Sequence, residues 1–102
     1  MDRYDLQHAK VAVIGAGTMG IGIAQLAAMY GHKTFVFDLD VAKAQEAVQQ
    51  LAVFLKKRVQ LGKMAQSLLD STLQNIAVVA ELQQLASADL IVEAVVERKE
   101  VK

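Results

Sequence analysis

A β-branched run, Val11-Ala12-Val13-Ile14, passes without a spacer into Gly15-Ala16-Gly17-Thr18-Met19-Gly20, and an acidic residue, Asp38, closes the next apolar run, Lys33-Thr34-Phe35-Val36-Phe37. Each part of this pattern has a separate physical task. Gly15 lets the chain turn tightly off a strand, Gly17 leaves the backbone open to close approach, and Gly20 lets the following helix pack close to the strand. A helix that begins in such a turn points its N–H groups and its positive dipole end outward, which suits a phosphate. A carboxylate about 20 residues further on suits a ribose hydroxyl pair, so the combined pattern predicts a dinucleotide site. Glycine-rich turns of this spacing also arise by chance and in kinase-type loops. A turn that merely joins strand to helix accounts for Gly15 and Gly20, but gives no reason for Gly17 and Asp38 together.

The rest of the chain alternates strand and helix. The first strand is read at Lys10–Ile14 and the first helix at Thr18–Tyr30, with an apolar stripe of Met19, Ile23, Leu26, Ala27 and Tyr30 and a stop at Gly31. A second strand is read at Thr34–Phe37. Asp40 is the N-cap of a long second helix whose stripe is Val41, Ala44, Val48, Leu51, Leu55 and Val59 and which Gly62 ends. A helix at Ala65–Gln74, a strand at Ile76–Ala80, a helical turn at Glu81–Ala86 and a strand at Asp89–Val95 complete the order. Continuous apolar strands suit a parallel sheet covered on both faces. Right-handed crossovers then predict an α/β, Rossmann-type doubly wound sheet of order 3-2-1-4, with ligand beyond the carboxyl ends of the strands. Gly15, Asp38 and Ala94 are expected on that rim.

A fold of this order needs about two more strands than the chain holds before Glu100-Val101-Lys102. Residues 1–102 are therefore expected to be the N-terminal part of a dinucleotide-binding domain. The fourth strand would present an open apolar edge, which predicts a homo-oligomer or strand exchange.

Composition excludes several classes. Eleven basic and eleven acidic side chains cancel, which argues against a nucleic-acid or membrane-surface partner. There is no cysteine, hence no disulfide and no thiolate metal site. His8 and His32 lie far apart, so no metal site is expected. No apolar run reaches the ~18–20 residues of a membrane span, and the polar start Met1-Asp2-Arg3-Tyr4-Asp5 is unlike a secretory signal. A cytoplasmic location is the expectation.

Val11–Gly20 with Gly22-Ile23-Ala24-Gln25, Gly62-Lys63 after a long helix, and Ala88-Asp-Leu-Ile-Val-Glu-Ala-Val-Val-Glu97 with Glu100-Val-Lys102 together resemble the opening third of the 3-hydroxyacyl-CoA dehydrogenase family. The resemblance implies NAD as cofactor and, for the parent protein, oxidation of the 3-hydroxyl of an acyl-CoA thioester to the ketone. It implies that Gly15, Gly17 and Gly20 form the pyrophosphate loop, lined by Thr18 and Met19. It likewise gives Asp38 the ribose, Ala94 a backbone contact, and Glu97 and Lys102 positions near the nicotinamide. Arg98 stands where members often carry Asn. The family's catalytic histidine and its glutamate partner lie downstream of this chain, so no catalytic residue is expected here and the chain alone is expected to be inactive.

A carboxylate at position 38 repels a 2′-phosphate, and no arginine follows it, so NAD is expected over NADP. Capping of the second helix suits Asp40 better than Asp38. Glu93 interrupts an apolar strand near the rim. Lys56, Lys57, Arg58 and Lys63 either meet the phosphates of a CoA tail or form a solvated helix end. A non-catalytic nucleotide-binding module and a related β-hydroxyacid dehydrogenase acting on free acids are the alternative functions.

Overall fold

The computed structural model describes residues 9–94, so His8, Glu97, Arg98 and Lys102 lie outside the described residues. The elements are β1 (Val11–Ile14), α1 (Thr18–Met29), β2 (Thr34–Phe37), α2 (Val41–Gln60), α3 (Gln66–Gln74), β3 (Ile76–Val79), a 3₁₀ turn (Leu82–Leu85) and β4 (Leu90–Glu93). The four strands are parallel in the order β3-β2-β1-β4. Ile14 at the end of β1 is level with Phe37 on one side and Glu93 on the other.

Alternation along each strand sorts the core into two faces. Val11, Val13 and Val36 pack with Ala24 of α1 and Ala44 of α2. Ala12, Phe37 and Val79 point the other way and pack with Leu85 of the 3₁₀ turn. Crossover handedness explains the division. From β1 through β2 to β3 the chain steps in one direction, so its right-handed crossovers lay the helices on one face. From β3 to β4 it reverses, so the 3₁₀ turn covers the opposite face. Cover of the two faces is uneven, because among the described residues only this short turn shields the second one. Leu90 and Ile91 of β4 remain 55% and 52% exposed.

The helix ends follow local chemistry. Asp40 caps α2 by accepting from the Lys43 amide at 3.2 Å. Both long helices close in a Schellman motif. After α1, Gly31 (φ 93°) donates to Ala28 O at 3.0 Å and His32 donates to Ala27 O at 3.0 Å. After α2, Gly62 (φ 76°) donates to Val59 O at 3.0 Å and Lys63 donates to Arg58 O at 2.8 Å. The stripe read for α2 is the packed one, with Ala44, Leu51 and Leu55 buried. Leu51 and Leu55 join Leu69 of α3 in a separate cluster.

In the stripe read for α1, Ile23 and Ala27 pack against the core and the rest requires correction. The buried residues are Gly20, Ala24 and Ala28, whereas Met19, Leu26 and Tyr30 are exposed. Almost every residue of α1 is apolar, so periodicity has no polar face to set against the buried one. Side-chain size decides instead. The helix rests on the sheet through its smallest residues because they permit the closest approach of the two backbones.

Gly22 lies inside α1 with a negative φ, and a Cβ there would meet nothing within 4 Å. Gly22→Ala should therefore stabilise the chain by about 0.5–1 kcal/mol, the cost of glycine in a helix interior. Urea denaturation checks this, and an unchanged or lower midpoint would contradict it.

Candidate functional site

The carboxyl ends of β1, β2 and β4 meet at one rim, where the structure brings together Gly15, Gly17, Thr18, Met19, Gly20, Asp38 and Ala94. Two backbone bonds set the loop on the sheet. The Gly15 amide donates to Phe37 O at 2.8 Å, and the Ala94 amide donates to Ile14 O at 2.8 Å. Ala94 is buried, and with its N–H engaged any backbone contact to a ligand must come from its carbonyl.

The three glycines of the loop differ in their surroundings. Gly15 has φ 108°, a conformation that side chains disfavour. At Gly20 a Cβ would stand 1.8 Å from Gly15 O, so the helix start and the turn already touch. Gly17 has extended backbone (φ −76°, ψ −171°) and a Cβ there would meet nothing within 4 Å. The protein's own packing therefore does not require glycine at position 17, and the space in front of it is open.

Gly17 is also the N-cap of α1, and no side chain caps that helix. The first intrahelical bond is from Ile21 N to Gly17 O at 2.9 Å. The amides ahead of it, at Thr18, Met19 and Gly20, have no intrahelical acceptor. No acidic side chain offsets the dipole in this first turn. The start of α2 is different, since Asp40 caps it. The start of α1 thus suits an anion. Met19 projects from it and is 62% exposed.

Asp38 grips the loop. One carboxylate oxygen accepts from the Ala16 amide at 2.9 Å and the other from the Asp40 amide at 2.9 Å. An ionised carboxylate offers about four acceptor positions, so about two remain for a ligand's hydroxyls. Burial pushes the Asp38 pKa up, but the amides of Asp40 and Ala16 and the charge of Lys43 outweigh it and hold the carboxyl below its ordinary value. The contribution to stability is present above the unfolded carboxylate range and is lost as pH falls through the lowered folded value.

A groove of about 540 Å³ opens from Gly17 and Thr18 between α1 and α2, lined further by Gly22, Gln25, Lys43 and Phe54. Lys43 is a lining residue that sequence reasoning does not single out, although a cation in the first turn of a helix is a detectable signal. Lys56, Lys57, Arg58 and Lys63 do not line the groove, and Arg58 lies over the Phe54 ring at 5.9 Å. His32 sits at the amino-terminal ends of the strands, its Nδ1 3.1 Å from Ala9 O, far from the rim. Glu93 is exposed beside Ile14. Among the described residues no helix is long and apolar enough to cross a membrane.

Residues 10–102 match the family model described as 3-hydroxyacyl-CoA dehydrogenase, NAD binding domain. A 3-hydroxyadipyl-CoA dehydrogenase of Escherichia coli K12 is 41% identical over 92 residues, which are 90% of this chain and 19% of that protein. A 3-hydroxybutyryl-CoA dehydrogenase of Bradyrhizobium diazoefficiens is 33% identical over 93 residues, covering 91% of this chain and 32% of that protein. Among solved structures, a 3-hydroxybutyryl-CoA dehydrogenase from Escherichia coli K12 superposes with a TM-score of 0.85 at 38% identity, over 89% of this chain and 19% of that one. The chain therefore spans between 19% and 32% of the length of these relatives. With its four-stranded sheet, its order and its match over residues 10–102, the chain belongs to the NAD-binding domain family of the 3-hydroxyacyl-CoA dehydrogenases.

Proposed function

We propose that residues 1–102 form the N-terminal part of the NAD-binding domain of an enzyme that oxidises a 3-hydroxyacyl-CoA to its 3-ketoacyl-CoA, and that catalysis belongs to the remainder of that enzyme. The observation that carries the reading is the start of α1, which has no side-chain cap, open space at Gly17 and a carboxylate held beside it. When bound, NAD supplies the acceptor for the hydride leaving the substrate carbon. The chain's own task is to hold and orient it.

In this reading Gly15 turns the chain, Gly17 admits the pyrophosphate, and the amides of Thr18, Met19 and Gly20 face it. Asp38 takes the adenosine ribose through the acceptor positions its two backbone amides leave free. Ala94 adds its carbonyl. Glu97 and Lys102 are assigned to the nicotinamide end by family resemblance, and both lie outside the described residues. A homo-oligomer is the assembly proposed for the whole enzyme, and the cytoplasm is the compartment that fits a metabolic enzyme of this kind.

Calorimetric titration of the chain with NAD and, separately, NADP tests the reading. Saturable NAD binding is expected, with NADP weaker by about tenfold or more. Asp38→Ala should narrow that ratio, since it removes both the hydroxyl acceptor and the repulsion of a 2′-phosphate. An unchanged ratio refutes the role of Asp38. A folded chain that binds neither nucleotide refutes the site.

A further inference from the structure

Lys43 is the third residue of α2, where its backbone amide is capped by Asp40 Oδ1 at 3.2 Å. A cation at that position faces the positive end of the helix dipole, and an acidic residue is the electrostatically favoured choice. Helix formation gives no reason for a lysine there. Its side chain lines the groove together with Gly17 and Thr18, and it is the only lysine or arginine among the lining residues. Its charge adds to the two backbone amides in holding the Asp38 carboxyl below its ordinary value.

The anions around it are Asp38 at the rim, Asp40 before the helix and Glu46 in the groove wall. Among the described residues Lys43 closes no ion pair of 4.0 Å or less with any of them. The first turn of α1, Thr18-Met19-Gly20-Ile21, contains no cation. A pyrophosphate there would have amides and a helix dipole on one side and the negative charge of Asp38 on the other. Among the described residues that line the groove, Lys43 alone supplies a formal positive charge.

We propose that Lys43 is a phosphate-binding residue for the dinucleotide, its ammonium lying between the Gly17–Thr18 turn and Asp38 as the counter-charge to the pyrophosphate. Lysine suits this role as a compact point charge on a flexible stem. The inference rests on the NAD reading above and adds to it a residue from α2, outside the glycine loop.

The test is calorimetric titration with NAD of the wild-type chain, Lys43→Met and Lys57→Met, at about 0.05 M and about 0.5 M salt. Methionine keeps the stem and the helix propensity while removing the charge. Lys43→Met should weaken NAD about tenfold at low salt, with the gap shrinking at high salt and the thermal midpoint unchanged or raised. Lys57→Met, away from the groove, should match wild type. An NAD affinity within about twofold of wild type at low salt overturns the assignment, as does a loss that salt leaves unchanged. Wild-type chain that fails to bind NAD removes the underlying site as well, whereas binding equal in wild type and Lys43→Met removes Lys43 alone.

Discussion

Gly20→Ala is expected to unfold the chain or leave it severely destabilised. The added Cβ would stand 1.8 Å from Gly15 O and 2.9 Å from Gly15 C, inside the 3.0 Å that real Cβ atoms respect. Both contacts are with backbone, so no side-chain rotation relieves them. Gly15 is itself held, by its amide on Phe37 O at 2.8 Å and by its φ of 108°. Relief must come from lifting α1 off the sheet, which also separates Ala24 from Val11, Val13 and Val36. Overpacking a core ordinarily costs about 1–3 kcal/mol, and an immovable neighbour places this case at about 3 kcal/mol or above. Against a domain stability of about 5–15 kcal/mol, that is a large share. Urea denaturation followed by circular dichroism measures it. A midpoint close to wild type would mean that the turn yields where the packing says it does not.

Gly17→Val should do the opposite, sparing the fold and removing the ligand. Its Cβ would meet nothing within 4 Å, and φ −76° with ψ −171° is extended backbone that a β-branched residue adopts readily. The denaturation midpoint should therefore correspond to a change of about 0.5 kcal/mol or less. The isopropyl group would fill the space in front of the uncapped amides, and NAD affinity should fall about a hundredfold or more, equivalent to ~2.7 kcal/mol. Retention of wild-type NAD affinity in a folded Gly17→Val chain rejects the pyrophosphate assignment. Two glycines three residues apart thus separate by experiment, one needed by the fold and the other by what the fold holds.

The positions of the strands and helices were legible because they rest on local signals of short range, and the strand order followed from them through the handedness of crossovers. Apolar runs with no polar interruption, Asp40 as an N-cap, and Gly31 and Gly62 at positive φ all act within a turn or two of their own position. The ends of the strands were less legible. The sequence reading puts Lys10, Ala80, Asp89 and Ala94 in strands, but β1, β3 and β4 cover Val11–Ile14, Ile76–Val79 and Leu90–Glu93, and Val95 lies outside the described residues. The described strand ends reflect where neighbouring strands stop pairing, and a single strand's sequence does not encode its neighbour's length.

What the sequence by itself determined is the alternation of strand and helix and the loop from Gly15 to Gly20, which follow from the conformational preferences of residues adjacent in the chain, and through them the order 3-2-1-4, which the right-handedness of crossovers imposes on such an alternation. Only the tertiary structure decided which face of α1 is buried. A helix apolar on every side has no preferred face until a sheet approaches it, and then the small side chains of Gly20, Ala24 and Ala28 set the contact. The same holds for Asp38, whose carboxylate reaches back 22 residues to the Ala16 amide, and for Lys43, which shares a groove with Gly17. Such pairings are distances in space between segments far apart in the chain, and they exist only once the strands between them have been laid side by side.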